Sequence, residues 1–187
     1  MLKIVPPFYL NVMLTYNQWR DMKTSEPGTL NIEPLRLRQV KMKYSFAIED
    51  NGSEIRRLLA DSDLHHEDIT TAQLKHFILG WDGPKLVAVV GLEIKSRSAL
   101  LRSLAIDAEY RNRGIATRLV GQIEDYAKSM GLGSLYLLTL TAEDFFKKCG
   151  YRPIARDSAP AEIQETTEFC SLCPASAVCM VRHLVAE

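Results

Sequence analysis

The stretch 100–131 constrains the fold of this chain more than any other part of the sequence. It begins with a short apolar run, 100–106, which is typical of a buried β-strand. After a loop, apolar residues recur at the spacing of one helix face, and Gly131 is available to end that helix. The apolar positions are Ala116, Leu119, Val120, Ile123, Ala127 and Met130. The stretch therefore predicts a strand, a loop and an amphipathic helix, in that order.

The loop between this strand and this helix is basic and contains Arg111, Arg113 and Gly114. The first N–H groups of a helix lack partners and carry a partial positive charge, so a basic strand-to-helix loop with a permissive glycine suits a phosphate. The loop lacks the Lys-Ser/Thr ending of nucleoside-triphosphate loops and the three glycines of the dinucleotide fingerprint. We therefore predict a pyrophosphate site of another kind.

Two motifs carry a resemblance to a known family. The six residues from Arg111 to Ala116 resemble the acetyl-CoA signature Arg/Gln-x-x-Gly-x-Gly/Ala of the GNAT acetyltransferase superfamily. The run from Ala142 to Tyr151 is similar to the later family motif Ala-x-x-Phe-Tyr-x-x-x-Gly-Phe, and two motifs in the correct order are stronger than either alone. The resemblance covers roughly residues 43–184. It is closest to the acetyltransferases encoded in arsenic-resistance operons, through the segments 99–105, 135–139 and 167–180.

This resemblance implies an acetyl-CoA-dependent N-acetyltransferase that acts on the amine of a small molecule, an amino acid or a toxic amino-acid analogue in the arsenic-resistance type. It places the pantetheine arm of acetyl-CoA, the co-substrate, along the backbone of Leu104, Ala105 and Ile106 like an added strand. It places the pyrophosphate on backbone N–H groups of Arg111, Asn112, Arg113, Gly114, Ile115, Ala116 and Thr117. The alternative is a surface loop whose arginines serve only solubility.

The rest of the chain alternates between strand and helix patterns. Strands are predicted over 44–49, 76–81, 85–93, 134–140, 151–156 and 178–184, and helices from Ser53, around 71–74, over 142–149 and near 161–166. Ser53 is a suitable N-cap, and the turn Asp82-Gly83-Pro84 predicts a hairpin. Hairpins followed by strand–helix units indicate an α/β fold with a GNAT-like mixed, largely antiparallel sheet flanked by helices.

Two charged side chains near the centre of the sheet are candidates for the acceptor site. Glu93 ends an apolar strand beside the central one, which makes it the first candidate for the catalytic base, with a solvated strand end as the alternative. Arg102 lies inside an apolar strand, where an unpaired charge is costly. It is predicted either to bind a substrate carboxylate, with Ser103 beside it, or to form a structural ion pair with Glu93.

No general acid is assigned from the sequence. The position of the family tyrosine is occupied by Phe146, which has no proton to donate. Tyr136, Tyr151 and Cys149 are substitutes in principle, but each is more typical of a core residue, and water can protonate the leaving thiolate. By resemblance, the linker that holds His65 and His66 borders the acceptor pocket.

The cysteines near the end of the chain suggest an alternative function. Cys170-x-x-Cys173 with Cys179 offers three thiolates, which suit arsenite or part of a zinc site, but no fourth zinc ligand is evident. Buried thiols of a final hairpin are the simpler interpretation, so no metal site is predicted. A thiol-based metalloid binder and, because of Phe146, a non-catalytic acyl-CoA-binding module therefore stay as alternatives to an enzyme.

The start of the chain differs from the remainder. Prolines interrupt it, and the prediction is a weakly ordered extension over 1–42 before an acetyltransferase domain over 43–187, with Met42 as an alternative start. A signal peptide fits poorly because its apolar centre would contain Pro6 and Pro7.

The charge and hydropathy of the chain argue against some classes of binding partner. Residues 1–43 hold seven basic and three acidic side chains, whereas the rest of the chain holds sixteen basic and twenty acidic ones. An acidic domain argues against nucleic acid. No run approaches the ~18 apolar residues of a membrane helix, and free thiols fit a reducing compartment. We predict a cytoplasmic monomer or homodimer with a small-molecule amine substrate and no membrane partner.

Overall fold

The computed structural model describes residues 42–184, so the predicted extension lies, except for Met42, outside the described residues. Within this range the strands are β1 (Lys43–Phe46), β2 (Phe77–Asp82), β3 (Lys85–Lys95), β4 (Ser98–Ile106), β5 (Ser134–Thr139), β6 (Arg152–Ile154) and β7 (Val178–His183). The α-helices are α1 (Gly52–Ala60), α2 (Thr71–Leu74), α3 (Ile115–Ser129), α4 (Glu143–Lys148) and α5 (Ala161–Gln164).

The seven described strands form one sheet in the order β1-β2-β3-β4-β5-β7-β6. Neighbouring strands are antiparallel except for β4 and β5, which are parallel. The predicted hairpin joins β2 to β3, and Gly83 in its turn has φ +58°, a conformation that glycine adopts readily. The predicted fold class, a mixed and largely antiparallel sheet flanked by helices, is confirmed.

Helices pack on both faces of the sheet. Alternate residues of a strand point to opposite sides, so each strand provides contacts for both faces. The first face packs against α1 and α2 through Ile55, Leu58, Leu59, Leu74, Phe77, Leu79 and Val89. The opposite face packs against α3 through Ile78, Ala88, Val90, Leu101, Leu119, Ile123 and Leu137. Arg102 pairs with Gly91 and Leu100 with Glu93, so the two charged residues share the first face with the α1 contacts.

β4 and β5 pair only near their starts and then diverge. Their register covers Ser98–Leu100 against Ser134–Tyr136, after which β5 pairs with β7 alone. β4 also contains a bulge: Gly91 pairs with Arg102 but Val89 pairs with Ala105, so β4 has one extra residue there, and Ser103 has φ +58°. The divergence and the bulge together leave a gap inside the sheet, beside residues 101–106.

Several helices and strands begin or end at other residues than predicted. Ser53 is not an N-cap: a 3-10 turn, Glu49–Asn51, leads directly into α1, which begins at Gly52. β1 ends at Phe46, before the same turn, and β6 has only three residues before a second turn, Arg156–Ser158. β3 continues to Lys95, so Glu93 lies inside this strand and does not end it as predicted. The prediction for Gly131 is confirmed, because α3 ends at Ser129 and Gly131 follows with φ +75°.

Among residues 42–184, no helix is both long enough and apolar enough to cross a membrane.

Candidate active site

A cavity of about 700 Å³ opens where β4 and β5 diverge. Its walls are residues 101–106 of β4, residues 137–142 at the end of β5, residues 62–65 after α1, and parts of the segment 168–177. Arg111 and Ala116, at the beginning of α3, also line it. The predicted phosphate loop and Arg102 therefore line a single cavity.

The loop before α3 has the backbone of an anion site. Asn112 and Gly114 both have positive φ, +61° and +73°, and α3 begins directly after this turn, so its first N–H groups have no partner within the helix. No atom lies within 4 Å of a Cβ added at Gly114, so the space in front of the glycine is open. A fifteen-residue helix that begins there carries its partial positive charge at this point.

The two arginines of the loop differ in their contacts. The Arg111 guanidinium lines the cavity, and its Nε donates to the Ile106 carbonyl at 3.1 Å. Arg113 is turned away: it donates to the Glu109 carbonyl at 2.7 Å and lies over the Tyr110 ring. Arg111 is therefore the arginine placed for a ligand in the cavity.

The predicted donor site fits acetyl-CoA on the geometry of this chain. Leu104, Ala105 and Ile106 line the cavity on the side of β4 that β5 has left, so backbone groups there face the gap. Among the remaining predicted positions, Asn112, Gly114 and Thr117 are exposed at the loop and first helical turn, whereas the Ile115 side chain is buried in the core. The fit therefore rests on backbone N–H and C=O groups more than on side chains.

At the other end of the cavity, Arg102 is surrounded by three carboxylates. Its side chain is 1% exposed. Nη1 and Nη2 donate to the two oxygens of Asp68 at 2.6 and 2.7 Å, and Nη1 donates to Glu93 at 3.3 Å. Nε lies 3.3 Å from a Glu168 oxygen, without hydrogen-bond alignment. We call these four residues the Arg102 cluster. The structural ion pair that the sequence offered as one interpretation of Arg102 is present.

The pKa values of Asp68 and Glu168 in the Arg102 cluster shift in opposite directions. Burial alone raises the pKa of Asp68, but the hydrogen bonds and charge of Arg102 outweigh burial and hold that pKa below its usual value. Burial raises the pKa of Glu168, and Asp68 and Glu93 add to the rise while Arg102 opposes it. The better-paired carboxylate is thus the weaker base, and Glu168 is the stronger one.

Glu93 and Ser103 lie at the cluster but differ in access. Glu93 is 12% exposed and lies 3.3 Å from both Arg102 Nη1 and Lys95 Nζ, and it is not among the residues that line the cavity. Ser103 does line the cavity, and its buried Oγ has no hydrogen-bond partner among the described residues. The proposed roles of Glu93 and Ser103 stay predictions, with Ser103 the better placed for a ligand.

The candidates for a general acid lie away from the cavity. Phe146 lines it, and Tyr151 packs edge-on beneath Phe146 with its ring centroid 5.5 Å away. Tyr136, Tyr151 and Cys149 are not among the lining residues. Burial raises the pKa values of Cys149 and Tyr151, which makes both poorer acids. No side chain is assigned as the acid.

The sequence interpretation missed Glu168 and Asp68. In the sequence, Asp68 lies in the polar linker that holds His65 and His66, and Glu168 lies two residues before Cys170, so neither has a pattern of its own. The cysteines themselves are dispersed: Cys170 is exposed, Cys179 is buried, and Cys173 lies 3.9 Å from Glu168. Within residues 42–184 no group of three or more metal-ligating side chains could hold a metal ion. His65 lines the cavity and is exposed.

Comparison with known proteins decides the family. The model of the Acetyltransferase (GNAT) family matches residues 41–151, which is more than half of the chain. The chain belongs to this family. The predictions of an N-acetyltransferase and of acetyl-CoA as its co-substrate are therefore confirmed at the level of the GNAT family.

Relatives in sequence agree with this family. An uncharacterised N-acetyltransferase from Chlorobaculum tepidum is 30% identical over 128 residues, which are 68% of this chain and 76% of that protein. An amino-acid acetyltransferase from Aeromonas salmonicida is 25% identical over 117 residues, 63% of this chain. This second match spans only 25% of the Aeromonas protein, so the chain corresponds to a fraction of its length.

Solved structures share the GNAT fold. The N-acetylglutamate synthase from Neisseria gonorrhoeae, solved with coenzyme A and N-acetyl-glutamate, has a TM-score of 0.68 at 18% identity, over 78% of this chain and 35% of that one. A protein from Mycobacterium tuberculosis, solved with CoA, has a TM-score of 0.66 at 19% identity, over 76% of this chain and 99% of that one. At these identities the likeness concerns the fold.

Proposed function

We propose that this protein transfers the acetyl group of acetyl-CoA to the amine of a small molecule inside the cavity between β4 and β5. One observation carries the proposal: the cavity connects the N-terminus of α3 to a buried cluster of carboxylates. Holding a thioester and an amine in one enclosed space supplies the proximity that acyl transfer needs.

The donor is held by backbone groups in this proposal. The pantetheine arm lies along Leu104, Ala105 and Ile106, whose outward side β5 does not pair. The pyrophosphate lies on the N–H groups of residues 111–117, and Arg111 adds a charge from the cavity wall. Because these contacts involve the CoA moiety, they hold the donor without choosing the acceptor.

The acceptor approaches as an ammonium ion. The Arg102 cluster contains three carboxylates and one arginine, with Lys95 against the outer side of Glu93. A negatively biased wall attracts a cationic amine and disfavours an acceptor carboxylate placed against it. A substrate carboxylate at Arg102 would compete with the three carboxylates that already surround its guanidinium.

The amino-acid acceptor is the finer part of the proposal. It is supported by the similarity to an amino-acid acetyltransferase and by the sequence resemblance to arsenic-resistance enzymes. In that case the carboxylate of the acceptor lies away from the Arg102 cluster, near His65 at the rim, while the amine points inward. Simple amines without a carboxylate then act as weaker substrates, because they lack the rim contact.

A panel of acceptors tests the proposed function. Amino acids, their phosphinic and arsenical analogues, and alkylamines are incubated with acetyl-CoA and the purified full chain, and the acetylated product is measured by mass spectrometry. We expect turnover of at least one acceptor class. Binding of acetyl-CoA by calorimetry without turnover of any amine would contradict the proposal and indicate the non-catalytic acyl-CoA-binding module.

A further inference from the structure

Only one carboxylate of the Arg102 cluster reaches the cavity. Glu168 is among the lining residues, whereas Asp68 and Glu93 are not. Asp68 is held by two short hydrogen bonds to Arg102, and Glu93 lies between Arg102 and Lys95. Glu168 meets Arg102 only at Nε, at 3.3 Å and without hydrogen-bond alignment, so its carboxylate keeps oxygen lone pairs that Arg102 does not occupy.

The backbone that carries Glu168 is unusual and well anchored. Glu168–Leu172 forms a single π-helical turn, closed by the Cys173 N–H on the Glu168 carbonyl at 3.0 Å. Such turns occur frequently at functional sites. Arg156 donates to the carbonyls of Phe169, Cys173 and Pro174 and lies over the Phe169 ring. One guanidinium thus fixes the turn that presents Glu168 to the cavity.

We propose that Glu168 is the catalytic base that takes the proton from the acceptor ammonium; this rests on the proposed function. The nitrogen, once neutral, attacks the thioester carbonyl, so that a C–N bond forms, the C–S bond breaks and its electron pair leaves with sulfur. The second proton of the nitrogen passes through water to the leaving thiolate, and Glu168 returns its proton to solvent.

The electrostatic surroundings suit this role. Burial raises the pKa of Glu168, and a stronger base matches an ammonium better. The groups that face it are Arg102 from β4, Glu93 from β3, Asp68 and His65 from the loop after α1, and Cys173 after the π-helical turn. Burial raises the pKa of Cys173 to about 11, so this thiol stays neutral beside the carboxylate.

The variant Glu168→Gln tests the base, because it keeps the shape of the side chain and removes its charge. We expect kcat to fall roughly 10²- to 10⁴-fold near neutral pH, while the affinity for acetyl-CoA measured by calorimetry stays unchanged. The wild-type kcat/KM should rise with pH through a pKa above the usual glutamate range. In Glu168→Gln this limb should vanish, and the rate should instead follow the fraction of neutral amine.

Acceptors of graded basicity give a second readout. Weakly basic amines arrive neutral and need no base, so the deficit of Glu168→Gln should shrink steadily as the pKa of the acceptor amine falls. Glu165→Gln is the matched control, since this exposed glutamate lies three residues earlier in the same segment. Glu168→Asp keeps the charge on a shorter arm and should retain the pH limb with a reduced kcat.

The outcomes separate the two proposals. If the wild-type chain acetylates no amine, the proposed function itself fails. If the wild type is active and Glu168→Gln retains its rate within about twofold with the same pH limb, the assignment of Glu168 is overturned and the function stands. Loss of the limb in Glu93→Gln instead would restore Glu93 as the base.

Discussion

At the donor end of the cavity one contiguous segment supplies backbone groups and exposed arginines, whereas at the acceptor end four separate segments supply charges that are nearly withdrawn from water. The loop with Arg111 and Gly114 is exposed. A Cβ added at Gly114 would have no atom of another part of the chain within 4 Å. Arg102 and its three carboxylates have side chains 1–14% exposed. Substitutions at the donor end should therefore leave the fold intact. The charges of the acceptor end, by contrast, contribute to the stability of the fold.

Breaking the Arg102 cluster should give the largest effect. Arg102→Met leaves three buried carboxylates without their cation, and removing one partner of a buried ion pair costs about 3–5 kcal/mol. We expect a large drop in the melting temperature. Arg97→Met, at an exposed arginine in the turn before β4, is the control and should be neutral.

The same variant distinguishes the two interpretations of Arg102. An unchanged acceptor KM in the folded fraction would assign the residue to structure alone, and a raised KM would support a contact with the substrate carboxylate. If Arg102→Met had the melting temperature of the wild type, the acceptor end would not contribute to the stability of the fold, and the contrast between the two ends of the cavity would be wrong.

At the donor end, a smaller change should affect binding. Gly114→Ala forces a side chain into a conformation with φ +73°, which costs about 1–2 kcal/mol, and places a methyl group where we propose that the phosphate binds. We expect the acetyl-CoA affinity to fall by about tenfold in calorimetry, or ~1.4 kcal/mol. Gly121→Ala is the control: it also meets no atom within 4 Å, lies within α3, and should stabilise the helix without changing binding. Equal affinities for the two variants would exclude a phosphate at this loop.

The charged form of Glu168 should lower the stability of the folded protein, and this effect should increase with pH. Its pKa is raised on folding, so the charged form is disfavoured in the folded state. Its contribution to stability is present below the unfolded pKa and is lost as pH rises through the folded pKa. Glu168→Gln should therefore melt above wild type at pH 8, and the difference should disappear near pH 4. A variant that melts lower at pH 8 would show that the pairing with Arg102 outweighs burial.

The smallest effect is expected at the start of the chain. The regular strand and helix pattern begins at Lys43, so a chain beginning at Met42 should unfold cooperatively and retain its turnover. Circular dichroism melting and the acceptor assay check this. Loss of soluble protein would show that the preceding segment belongs to the folded unit.

The sequence predicted the strand, loop and helix of the donor end correctly because the signals for these elements are local. The loop from Arg111 to Gly114 lies between a strand and a helix that each have a clear apolar period, and the structure retains all three. Arg102 was recognised as anomalous from its apolar neighbours alone. Its partners were not all recognised, because Asp68 and Glu168 lie 34 and 66 positions away and only the folded sheet brings them to one guanidinium.

The ends of helices and strands were also predicted correctly only where the signal in the sequence is local. Gly131 ended α3 as predicted because the signal is a single residue with positive φ. The predicted ends of β1 and β6 were too long because short 3-10 turns, Glu49–Asn51 and Arg156–Ser158, carry no apolar period. The π-helical turn Glu168–Leu172 had no recognisable sequence pattern, since the contacts of Arg156 with backbone carbonyls hold it in place.

The divergence of β4 from β5 also bears on how the protein avoids aggregation. Unpaired strand edges attract other chains, and proteins usually block them with charges, prolines or bulges. Here two such edges lie in the middle of one sheet and face each other across the gap, so they are not part of its outer edges, which β1 and β6 form. In the acetyl-CoA complex that we propose, the amide-bearing pantetheine arm pairs with these backbone groups, which are then no longer available to another chain.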